Sequence, residues 1–88
     1  MNDKEILARL AEIEGKPKFP RPDLYWNPLK YWRDCGPLIE RHNVDIFDAG
    51  TAEIWHIQND GSAGDLLARV YDPNLKRAIC LAIIEAHY

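Results

Sequence analysis

Eighty-eight residues, 47% hydrophobic and 28% charged, suit a single folded domain over residues 1–88 with one modest core. A net charge of −3, from 11 Lys and Arg against 14 Asp and Glu, excludes the basic surface of an electrostatic duplex-nucleic-acid binder. No apolar run approaches the ~20 residues of a membrane span, and Met1-Asn2-Asp3-Lys4-Glu5 lacks a secretory leader's pattern, so a cytoplasmic protein without a membrane partner is expected.

Asn2 to Glu14 reads as an amphipathic helix, because Ile6, Leu7, Leu10 and Ile13 fall on one stripe. Asn2 and Glu5 have capping-box spacing, and Gly15 suits a left-handed ending. Pro17, Pro20 and Pro22 then rule out a helix and favour an extended path that runs into Tyr25 and Trp26. Asn27-Pro28 is a cap followed by proline. Trp32, Cys35, Ile39 and His42 follow at helical spacing, with Leu38 beside them. Proline deep in a helix costs about 3 kcal/mol. Gly36-Pro37 therefore predicts either a helix starting near Asp34 after a short turn, or one kinked helix.

Val44 to Phe47 is a short strand, Asp48-Ala49-Gly50 a turn, and Ala52 to Ile57 a second strand. A polar loop over Gln58 to Gly64 contains the turn pair Asp60-Gly61. Leu66 to Tyr71 alternates as a third strand. Asp72 is expected to cap a last helix with Pro73 in its first turn. Ala78 to Ile84 is apolar throughout, so this helix must be covered on several sides, by other layers or by a second copy in a homodimer or higher homo-oligomer. The fold class is α+β in the order α-α-β-β-β-α, with a small three-stranded antiparallel sheet packed between or against the first and last helices. Cys35 and Cys80 are expected to be free, buried thiols.

Three stretches carry a resemblance. They are Tyr25-Trp26-Asn27-Pro28-Leu29, the segment from Trp32 through Gly36-Pro37-Leu38-Ile39-Glu40, and Arg77-Ala78-Ile79-Cys80-Leu81-Ala82. In order and spacing they resemble the small phage proteins called NinX-like, or phage ABA-sandwich, proteins. The resemblance implies a helix/sheet/helix sandwich and a phage accessory protein working in the host cytoplasm. By analogy with other phage accessory proteins of this size, it implies a role against host defence, including sequestration of nucleotide signals.

Two constellations point to binding. Lys18, Phe19, Arg21, Tyr25, Trp26, Lys30, Tyr31, Trp32 and Arg33 mix flat faces that stack on bases with cations that answer phosphate. The same residues also serve as core tryptophans and solvated charges. At the start of the last helix, Asn74, Lys76 and Arg77 supplement exposed amides that favour an anion, although a capping Asp72 competes for them. The cysteines and histidines show no metal-ligand spacing, and no glycine-rich phosphate loop or nucleophile turn is present. No metal, cofactor or catalytic residue is therefore expected.

The leading expectation is a non-enzymatic protein that captures a small anionic, nucleotide-like ligand. Trp26, Tyr25 or Trp55 would stack on its base, and Arg33, Lys76 and Arg77 would meet its phosphates. Asn27 or Asn74 would add hydrogen bonds. The alternative is a protein-interaction module that presents Pro17 to Trp26 to a host protein.

Overall fold

The computed structural model describes residues 1–16 and 26–88. The expectations for Pro17, Lys18, Phe19, Pro20, Arg21, Pro22 and Tyr25 lie outside them. Helix α1 spans Asp3–Ile13. Asn2 caps it by accepting from the Glu5 amide at 2.8 Å, as the spacing predicts. At the other end Gly15 is left-handed at φ 67°. The Lys16 amide donates to the Ala11 carbonyl and the Gly15 amide to that of Glu12, which closes a Schellman motif. The apolar stripe is buried through Ile6, Leu7, Leu10 and Ala11.

Helix α2 spans Trp32–Arg41 and holds Pro37 inside it. It begins two residues before Asp34. The missing proline N–H affects only the Arg33 carbonyl, one turn back near the helix start, where the chain is exposed. Cys35 and Leu38 face the core, whereas Trp32 is 49% exposed and lies under the Lys76 ammonium, 4.6 Å from the ring centroid. Asn43 ends this helix in the left-handed region at φ 54°, a conformation that Asn tolerates better than most residues.

Strands β1 (Val44–Ile46), β2 (Thr51–Ile57) and β3 (Ala63–Tyr71) form an antiparallel meander in that order. Val44, Ile54 and Ala68 stand opposite one another across the sheet. β3 starts three residues earlier than its alternating pattern suggests, because the hairpin brings Ala63 opposite Ile57. The register slips on either side of Trp55, so the sheet carries a bulge there. In the hairpin loop, hydrogen bonds from the Ser62 hydroxyl and amide hold the Asp60 carboxyl below the usual carboxylate range. Gly50 closes the β1–β2 turn under a backbone bridge from the Asp72 amide to the Gly50 carbonyl, 2.8 Å long. A Cβ at Gly50 would stand 2.7 Å from the Asp72 carbonyl oxygen and 2.9 Å from the Tyr71 ring. Gly50→Ala is therefore expected to cost about 1.5 kcal/mol in urea unfolding. The equivalent change at Gly36, where a Cβ meets nothing within 4 Å, is the control.

Helix α3 spans Leu75–His87. Its cap is Asn74, not Asp72, and Pro73 precedes the helix rather than starting it. The bridge to Gly50 keeps Asp72 in line with β3, so the helix cannot begin until the chain clears that turn. The Asn74 side chain accepts from the Arg77 amide at 3.3 Å, while the Asp72 carboxylate accepts from the Asn74 amide at 2.8 Å.

Ala78, Ile79, Cys80, Ala82, Ile83 and Ile84 are all buried. One side of α3 packs on β1, β2 and β3, and other faces pack on α1 and α2. The class and element order are as the pattern predicts, but the layers run helix, helix, sheet, with α3 in the middle. The expected helix/sheet/helix sandwich differs on this point, because α1 packs on α3 and not on the sheet. The covering that a homodimer would have supplied to α3 is thus supplied within one chain. Cys35 and Cys80 are both fully buried free thiols. The hydrogen bond between them, then burial, pushes the Cys80 thiol well above its ordinary range, so it stays protonated and inert.

Candidate ligand-binding clefts

Glu14, at the end of α1, continues the row of Ile6 and Leu10 at four-residue spacing and so points inward. Its side chain is only 3% exposed, and a buried carboxylate must be paired. Arg41 donates Nη1 to its Oε1, and His42 Nε2 lies 2.7 Å from its Oε2. The backbones of α1 and α2 do not pack on each other, so this clamp joins them directly. The His42 ring meets that of His87 edge-on, with centroids 5.3 Å apart.

Two clefts open beside the clamp. One, of about 300 Å³, lies between the C-terminal ends of α2 and α3 and the far end of the sheet. Arg41, His42, Asn43 and His87 line its helical side, with Ile54 to Ile57 and Leu67 on the sheet side. The other, of about 190 Å³, is lined by Lys16, Trp26, Arg33 and Arg41, with Glu14, Asp34, Pro37 and Leu38. Arg41 lines both. A larger depression of about 430 Å³ beside the β2–β3 hairpin is walled by His56, Gln58, Asn59 and Asp60, and among the described residues it offers an anion no Lys or Arg.

The residues expected from sequence to hold a ligand are divided among four places. Trp26 and Arg33 share the smaller cleft. Trp26 is 8% exposed with the Lys16 ammonium 5.7 Å from its ring centroid, whereas the Arg33 side chain is 74% exposed and its guanidinium lies 4.8 Å over Tyr31. Asn27 beside them is engaged in its own turn, where its side chain accepts from the Leu29 amide at 3.1 Å. Trp55 borders the larger cleft, but its indole N–H donates to Glu53 on the sheet face away from α3. Glu53, 4% exposed, also accepts from Arg69 directly across the ladder.

Asn74, Lys76 and Arg77 cluster at the start of α3, far from convergent. Asn74 caps the helix, and Lys76 lies on Trp32. Arg77 is bound by Asp72 and Asp3 and also donates to the Met1 carbonyl. The anion site expected there is thus filled by the chain's own carboxylates. Sequence reasoning missed Arg41, His42, His56 and His87 as a group, since they come from three elements with no common spacing. The legible signal was Glu14, an acid on an apolar stripe.

Among the described residues, three helices and a three-stranded antiparallel meander define a small α+β domain with open clefts on its surface. Over residues 3–86 the chain matches the family described as Bacteriophage P22, NinX, and it belongs to that family. It is a phage accessory protein in type. Neither the comparison with curated proteins nor that with solved structures gave a match. No described helix is long and apolar enough to cross a membrane.

Proposed function

We propose that this phage-type protein acts by binding rather than by turnover, and that it captures a small anionic, nucleotide-like ligand in the host cytoplasm to counter host defence. The observation that carries this reading is the larger cleft. Arg41, His42, His56 and His87 converge there, and no carboxylate stands in its lining among the described residues. Guanidinium and imidazole N–H groups form the strong, charge-assisted hydrogen bonds that phosphate accepts. Its volume of about 300 Å³ falls at the small end of ligand pockets. Glu14 holds Arg41 and His42 in place before any ligand arrives, which lowers the ordering cost of binding. Calorimetry with mononucleotides, cyclic nucleotides and cyclic ADP-ribose derivatives tests the proposal. Heat that falls with His56→Ala is expected, and silence across the panel removes the reading.

A second reading, an interaction module for a host protein, draws on the sheet face away from α3. Leu66, paired with Trp55 across the ladder, and Tyr71, paired with Thr51, are exposed apolar side chains on that face. Patches of this kind mark protein contacts. A host protein captured in stoichiometric amount, lost with Leu66→Asp and kept with His56→Ala, would favour it. The Pro17 to Trp26 surface considered from sequence lies mostly outside the described residues.

A further inference from the structure

We infer that the two clefts work as one divided site for a ligand with two separated phosphates, of the dinucleotide class, with Arg41 as the shared contact. This rests on the anion-binding reading above and extends it. Arg41 lines both cavities. Its guanidinium carries five N–H donors in a planar fork, and Glu14 takes Nη1. The remaining donors are oriented by that bond and can serve a phosphate on either side.

Each cleft brings its own further donors. The smaller has Lys16 and Arg33, and the larger has His56 and His87. The two carboxylates that line the smaller cleft among the described residues are already engaged. Glu14 is held by Arg41 and His42, while Asp34 accepts from the Asn27 amide at 2.9 Å and lies 4.0 Å from the Arg33 guanidinium. Taken singly, neither cavity exceeds the lower limit of ordinary ligand pockets, roughly 300 Å³. Joined across Arg41 they fall within that range. Trp26 in the smaller cleft gives an apolar wall for a base beside the phosphate contacts.

The test compares the linear dinucleotide pApA with 5′-AMP by calorimetry on the full chain. The dinucleotide is expected to bind at least about tenfold more tightly, because its second phosphate engages intramolecularly. Arg33→Ala should remove that advantage and bring the dinucleotide's affinity down toward that of AMP. Arg33 is largely solvent-exposed, so the variant is expected to fold, which far-UV circular dichroism checks. Arg41→Ala should weaken both ligands. Equal affinities for the two ligands, or a dinucleotide affinity indifferent to Arg33→Ala, overturn the divided site while AMP binding keeps the single-cleft reading alive. No binding of either ligand overturns both.

Discussion

Replacing Ile83 with alanine is expected to remove about 3–4 kcal/mol of stability, the largest loss from any single truncation considered. Ile83 has no exposed surface, and neither has Ile79 one turn before it. Both lie on the helix that the sheet and the other two helices enclose. Truncation removes apolar area and leaves a void that rigid neighbours on several sides cannot close. A domain of this size holds roughly 5–10 kcal/mol in all. The variant should therefore melt about 15–25 °C lower. Urea unfolding followed by circular dichroism measures it, with Ile83→Val as the graded control at about 1 kcal/mol. A loss below 1 kcal/mol would mean that α3 is not enclosed.

Glu14→Ala is expected to cost about 2.5 kcal/mol. A charge-assisted hydrogen bond contributes more than a neutral one, and Glu14 makes two from a position nearly out of solvent. The loss is not the full cost of stranding a buried ion, because the Arg41 side chain is more than half exposed and water rehydrates it. His42, at 12% exposure, bears most of the penalty. Glu14→Gln keeps the shape and should lose less. A double-mutant cycle with His42→Ala separates the pair from the rest. Additive losses would show that the clamp contributes nothing of its own. The same variants bear on binding, since without Glu14 the Arg41 and His42 donors lose their fixed direction.

The fold was largely readable where local chemistry and tertiary packing agree. Ile6, Leu7 and Leu10 lie on one helical stripe, and Asn2 and Gly15 mark the ends of α1. The unbroken apolar run of α3 requires cover on several sides, and it receives it. Pattern failed where a distant contact decides. Asp72 has the chemistry of a helix cap, but a backbone bond to Gly50 binds it into the turn, and Asn74 caps instead. Trp32 shares helical spacing with Cys35 yet faces solvent, since α2 buries only a narrow strip through Cys35 and Leu38. Layer order was beyond periodicity, because an amphipathic α1 fits a sheet and a central helix equally well.

The site was less legible than the fold. Its cations and imidazoles come from α2, β2 and α3, and no spacing along the chain brings them together. Arg77 shows the converse. A basic residue in the first turn of a helix suggests an anion contact, but Asp72 and Asp3 already hold it. Trp55 bears an indole N–H that needs a partner, and the nearly buried Glu53 supplies one on the opposite sheet face from the helices.

The central place of α3 also shapes the route by which the chain folds. Its contact with α1 spans all of α2 and the meander, so that interface closes a long loop and its entropic cost falls before any gain. The β2–β3 hairpin and the adjoining α3 need only short closures and are placed to assemble first, leaving α1 to dock late. Substitutions on the α1 stripe should then accelerate unfolding and leave the refolding rate nearly unchanged, a kinetic asymmetry that stopped-flow experiments resolve.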